Sequence, residues 1–124
     1  MAEPEVKKPK ARMLIIIDSD PRTSPRPAEA MRVAGGMGVW EQVQVNVVLR
    51  HAASWVCAPD TSELKGAQMF KQFIGMVRES GGEVFVQADD ETMQVLHGDM
   101  LMKRNLKDKK LVELAAGADL LLRF

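Results

Sequence analysis

The sequence predicts an α/β protein of three layers, α/β/α, in which a parallel sheet of about five strands lies between helices. Short apolar segments alternate with amphipathic ones along the chain, and such alternation calls for parallel strands joined by helical crossovers. The first apolar segment, residues 13–17, is an unbroken Met-Leu-Ile-Ile-Ile run, which is typical of a strand covered on both faces. Right-handed crossovers would place every strand-to-helix loop along one edge of the sheet.

Composition indicates one globular domain without a charge-driven partner. The chain has 124 residues, 46% hydrophobic and 27% charged, and a formal net charge of zero. We therefore expect no nucleic-acid and no membrane partner. A single cysteine, no apolar signal segment and no apolar run near the roughly 18 residues that cross a bilayer favour a cytoplasmic protein. Residues 1–12 are basic and rich in proline, and we expect a flexible tail before a domain at 13–124.

The first helix follows strand one. Thr23 or Ser24 can cap it, Pro25 and Pro27 suit its first turn, and three glycines, Gly35, Gly36 and Gly38, are expected to end it. A phosphate-binding glycine loop would lie between strand and helix, so glycines at the far end exclude a dinucleotide site. Residues 43–49 form the second strand, and 52–59 show no clear period.

The second half of the chain continues the alternation. Asp60 and Glu63 resemble a capping box for an amphipathic helix that extends to Val77 and stops at Gly81-Gly82. A third strand is predicted at 83–87, a short helix at 89–96 and a brief fourth strand at 100–102. Asn105 would cap the last helix, which ends at Gly117, and the fifth strand is predicted at 119–124.

Polar residues follow several of the predicted strands, where ligands of parallel sheets bind. The residues expected at this edge are Asp18, Ser19, Asp20, Arg22, Arg50, His51, Gln87, Asp89 and Asp90. Of these we predict a ligand-binding role for Asp18, Ser19, Asp20, Arg22, Arg50, Gln87 and Asp89.

Asp18-Ser19-Asp20 allows two interpretations. An Asp-x-Asp after an apolar strand resembles the motif with which haloacid-dehalogenase-type phosphotransferases hold Mg²⁺, which would make this a phosphate or metal site. The alternative is a loop whose Asp and Ser side chains satisfy turn amides.

Cys57 is the one thiol that could act as a nucleophile, with His51 as a base. A helix beginning just beyond Asp60 would lower the pKa of that thiol, whereas apolar neighbours such as Trp55 and Val56 would raise it. The two histidines and the cysteine do not have a metal-ligand spacing, so we predict no zinc site. The leading interpretation includes no metal site and no cofactor.

Three segments, residues 14–21, 73–86 and 111–122, resemble the DsrE/DsrF-like family of small α/β sulfur-relay proteins. The resemblance implies a DsrE-like fold, association into trimers or hexamers, and sulfur-relay proteins as further partners. Active carriers of that family hold a cysteine at or just after the third strand, where this sequence has Gln87-Ala88. The resemblance therefore implies a non-catalytic or atypical subunit that binds a partner or a small ligand. A thiol-dependent carrier using Cys57 and a phosphate or metal binder centred on Asp18 and Asp20 remain the alternatives.

Overall fold

The computed structural model describes residues 11–40, 43–57, 62–87 and 107–124. Within these ranges strands and helices alternate as the sequence predicts. The elements, in chain order, are β1 (Ala11–Ile17), α1 (Arg26–Gly38), β2 (Val43–Arg50), a 3₁₀ helix (His51–Cys57), α2 (Ala67–Glu79), β3 (Val84–Gln87), α3 (Asp108–Ala116) and β4 (Leu120–Arg123).

The strands of the described residues form one parallel sheet in the order β3-β2-β1-β4. The apolar run of β1 lies in the middle of this sheet, paired with Val45–Leu49 of β2 on one side and with β4 on the other. Ile15 and Ile17 have no exposed surface, as expected of a strand buried on both faces. The predicted α/β class and parallel sheet are confirmed, with four strands described where about five were predicted.

Helices cover both faces of the sheet and make the three layers. On one face Ile15, Val47 and Leu49 pack with Met31 of α1 and Phe70 of α2. On the other face a smaller cluster joins strand residues to α3, and its members are Leu14, Ile16, Val48, Phe85, Leu111, Leu114, Ala115 and Ala118. Successive side chains of a strand point to opposite faces of the sheet, so β1 and β2 each contribute residues to both cores.

Several element boundaries differ from the predicted ones. β1 begins at Ala11, two residues earlier than predicted, and α1 continues through Gly35 and Gly36 to Gly38. Gly35 is a contact residue inside α1, because a Cβ there would lie 2.7 Å from Cδ1 of Phe73 in α2. The expectation that Gly35 and Gly36 end the helix is thus wrong.

The predicted starts of α2 and α3 are also wrong. α2 begins at Ala67 after Gly66, which has a φ of 74°, so Asp60 does not cap it. α3 begins at Asp108 after Lys107 and not at an Asn105 cap. The tail at residues 1–10, the short helix at 89–96 and the strand at 100–102 lie outside the described residues. None of the described helices has the length and apolar character needed to span a membrane.

Candidate functional site

Four polar side chains stand in a row along the carboxyl edge of the sheet, one from each described strand or the residue after it. In sheet order they are Gln87, Arg50, Asp18 and Arg123, which we call the rim row. The register pairs Arg50 with Gln87 and Ile17 with Leu49, so Asp18 comes next to Arg50. Side chains at matched register share a sheet face, and the rim row therefore lies on the face that α3 covers.

Hydrogen bonds and ion pairs connect the rim row from end to end. Nε of Arg50 donates to Oε1 of Gln87 at 2.8 Å, and Nη1 of Arg50 lies 3.5 Å from Oδ1 of Asp18. Nε of Arg123 donates to Oδ2 of Asp18 at 2.5 Å. Asp108, the first residue of α3, accepts a hydrogen bond from Nε2 of Gln87 at 2.5 Å. The sheet edge is thus connected to the amino end of α3.

Backbone hydrogen bonds join the loop after β1 to the residue that follows β4. The amides of Asp18 and Ser19 both donate to the carbonyl of Phe124, at 2.8 and 3.4 Å. Oδ1 of Asp18 and Oγ of Ser19 are shielded from solvent and have no hydrogen-bond partner among the described residues. An unsatisfied buried oxygen is costly. Oδ1 of Asp18 still has the charge of Arg50 nearby, whereas the Ser19 hydroxyl has no partner among the described residues.

Asp20 has a different environment from Asp18. Its Oδ1 accepts from the backbone amide of Arg22 at 2.9 Å, and its Oδ2 accepts from Nη2 of the same arginine at 2.8 Å. The Arg22 side-chain hydrogen bond keeps the pKa of the Asp20 carboxyl below its ordinary value, against a smaller opposing effect of burial. The guanidinium also stacks over Trp55, 4.5 Å from the ring centroid. This geometry favours the turn interpretation of Asp20.

The metal interpretation receives no support from the geometry. Asp18 and Asp20 each pair with arginine. In the part of the chain that the structure describes, no group of three or more histidine, cysteine or carboxylate side chains could hold a metal ion.

His51 and Cys57 are the first and last residues of the 3₁₀ helix. His51 is exposed and has a φ of 52°, and its carbonyl accepts a hydrogen bond from the buried Ser54 hydroxyl. The Cys57 side chain lies outside what the structure describes, so its catalytic role stays a prediction. The predicted reason for a lowered thiol pKa, a helix beginning just beyond Asp60, is lost because α2 begins at Ala67. Asp89 and Asp90 also lie outside the described residues.

Sequence reasoning missed three residues of this edge: Arg26, Asp108 and Arg123. Arg123 could have been predicted, because it ends the last strand as Arg50 ends the second, and parallel strands end at the same edge.

A depression of about 480 Å³ opens beside the rim row, and its lining residues are Asp18, Ser19, Arg26, Arg123 and Phe124.

No family model matches the chain, and no curated protein matches it in sequence. Among solved structures, the chain is similar to the YchN protein from E. coli, with a TM-score of 0.68 over 92% of this chain and 99% of that one. The two sequences are 14% identical, so the likeness concerns the fold alone. The protein therefore has the DsrE-like α/β fold that YchN displays.

Proposed function

We propose that this chain is a non-catalytic or atypical DsrE-like subunit associated with sulfur relay, which binds a partner protein or a small ligand at the rim row and does not carry sulfur itself. The observation that carries the proposal is Gln87. It ends the third strand, where the active carriers of the family that the sequence resembles hold their cysteine, and it has an amide that cannot act as a sulfur nucleophile.

The contacts of Gln87 support a structural role for this position. Its carbonyl oxygen accepts from Arg50 and its amide nitrogen donates to Asp108, so both ends of the side chain are used. Gln87 thereby ties β3 to β2 and to α3. Such an arrangement keeps the described part of the edge in one geometry, as a binding surface requires.

The link to sulfur relay rests on two supports. One is the sequence resemblance of residues 14–21, 73–86 and 111–122, and the other is the fold shared with YchN. Fold similarity is compatible with several functions, so the proposal needs a chemical test.

The chemical test uses Cys57, the single cysteine of the chain. Native protein is treated with iodoacetamide at about pH 6 and about pH 8, and separately with polysulfide, and the intact mass is measured. We expect slow alkylation and no added sulfur in the native protein, with rapid alkylation once urea unfolds it. Rapid labelling of native protein at the lower pH, or a stable added sulfur atom, would overturn the proposal in favour of a thiol-dependent carrier that uses Cys57 and His51.

We further propose that the subunit acts in the cytoplasm as a trimer or hexamer of itself. Among the described strands β4 is the outer one beside β1, and Leu120 and Leu121 on it are exposed, as is Val112 on α3. Exposed apolar side chains on an edge strand suit burial against another subunit. Light scattering after size exclusion should give a trimeric or hexameric mass, and a monomer at micromolar concentration would contradict this part of the proposal.

A further inference from the structure

The depression beside the rim row has the size of a small-molecule site. Its volume of about 480 Å³ lies in the range that small ligands occupy in proteins. It opens where the loop after β1, the first residue of α1 and the end of β4 meet. Since the carboxyl edge of a parallel sheet is the usual place for ligands, the position is also the expected one.

Among the residues that line this depression, guanidinium groups outnumber side-chain carboxylates. Asp18 is its carboxylate, and that carboxylate is already paired with Arg50 and Arg123. Arg26, the first residue of α1, forms no ion pair with any described carboxylate. Two guanidinium groups, those of Arg26 and Arg123, therefore line the depression together with one side-chain carboxylate.

Arg26 and Arg123 can both reorient toward a ligand. The side chain of Arg123 is 68% exposed although it contacts Asp18, and Arg26 lies on the surface. A guanidinium presents a planar fork of N–H donors that matches the oxygens of a carboxylate, sulfate or phosphate group. The positive end of the α1 dipole lies at Arg26 and adds to the same preference.

Ser19 supplies a neutral donor to the same place. Its hydroxyl is shielded from solvent and has no partner among the described residues, although the residue lines the depression. A serine hydroxyl can donate one hydrogen bond, and an anionic oxygen is the acceptor that gains most from it.

We propose that this depression binds a small oxyanion, a carboxylate, sulfate or phosphate group, through Arg26, Arg123 and Ser19. The inference rests on the proposed function, since it names the chemical class of the small ligand. Asp18 acts here as a positioning residue, because its ion pair holds Arg123 at the edge of the depression.

Titration of ¹⁵N-labelled protein tests this inference, with sodium sulfate, sodium phosphate and sodium acetate in separate arms and sodium chloride at matched ionic strength as the reference. We expect saturable shifts of the Ser19 and Arg123 amides with at least one oxyanion, and the arms identify which oxyanion class binds. Arg26→Gln should weaken binding by about tenfold, the loss that one charge-assisted contact gives.

Arg32→Gln is the matched control, because Arg32 is an exposed arginine on the same helix that pairs with Glu29. It should leave the affinity within about twofold of the unchanged protein. Shifts that follow chloride as closely as the oxyanions, or an Arg26→Gln variant that binds normally, would overturn the inference. Absence of oxyanion binding with an inert Cys57 would leave the proposed function in place, whereas a sulfur-carrying Cys57 would overturn that function alone.

Discussion

Asp20 and Arg22 form an ion pair in the loop after β1. The arginine contributes its backbone amide and its guanidinium to one carboxylate, and the guanidinium also lies over Trp55 of the 3₁₀ helix. The loop also contacts the segment that precedes α2, where the amide of Lys65 donates to the carbonyl of Pro21 at 2.8 Å. Local charge and tertiary contact thus fix the same turn.

We expect Asp20→Asn to destabilise the protein at neutral pH and not at acid pH. The carboxyl pKa is lowered in the folded state, so its contribution to stability is present above its ordinary pKa of about 4 and is lost as pH falls through the folded value. The side-chain oxygen of asparagine can still accept a hydrogen bond from the backbone amide of Arg22. The substitution therefore removes the charge and keeps the turn.

Urea unfolding of both proteins between about pH 7 and about pH 2.5 measures this effect, and the difference in unfolding free energy should shrink toward zero below about pH 4. A difference of the same size at every pH would assign the role of Asp20 to turn geometry alone.

At the residue scale the sequence predicts part of the site. Asp18, Arg50 and Gln87 follow apolar strands, and strand ends meet at one edge by topology, so their grouping follows from the pattern. Arg26 and Asp108 were missed because both lie on helices, where a charged residue in the first turn ordinarily faces solvent. Which helix end reaches the rim depends on tertiary packing that periodicity does not encode.

At the scale of elements, the contact between α1 and α2 depends on one glycine. A Cβ at Gly35 would lie 2.7 Å from the ring of Phe73, whereas a Cβ at the adjacent Gly36 would have nothing within 4 Å. Both residues are inside the same helix and differ in the face on which they lie. Alanine substitutions at the two positions therefore distinguish the steric cost of a methyl group from its effect on helix propensity.

We expect Gly35→Ala to lower the unfolding free energy by about 1–3 kcal/mol, since overpacking forces Phe73 or the two helices to shift. Gly36→Ala should instead raise it by up to about 1 kcal/mol, because alanine favours a helix interior over glycine. Chemical denaturation with circular dichroism measures both. If both substitutions raised the unfolding free energy, α1 and α2 would be able to move apart at Gly35 without loss of stability, and the predicted steric conflict with Phe73 would be wrong.

The strands were easier to predict than the helix ends for a physical reason. A strand buried on both faces is apolar at every position, so the unbroken apolar run at residues 13–17 predicts such a strand. The start of α2 depends on Gly66, whose φ is 74° and whose Cβ would lie 2.5 Å from Cβ of Ala28 in α1. That close approach is a tertiary fact, and the local capping signal at Asp60 and Glu63 does not reveal it.

For the whole molecule, burial is unevenly distributed across the layers. The central strands β1 and β2 hold residues without exposed surface, among them Ile15, Val47 and Leu49. The α3 helix has no buried residue, and three of the four residues of β4 are exposed. Among the described residues, the face of the sheet under α3 therefore has a smaller apolar cluster than the face under α1 and α2.

Native-state hydrogen exchange should reveal this difference as two levels of protection. Amides of β1 and β2 are expected to exchange only through global unfolding, because opening them exposes both cores. Amides of α3 should exchange at lower free energy through local opening, and the amides of Asp18 and Ser19 that bind the Phe124 carbonyl should follow β4. Exchange measured by NMR across low urea concentrations distinguishes the two routes, since local opening has little denaturant dependence. Equal protection of α3 and β1 would indicate that the helix is held by contacts beyond those of the described residues. A lower protection of α3 would instead show that this helix, which Asp108 joins to the rim row, opens without the central strands.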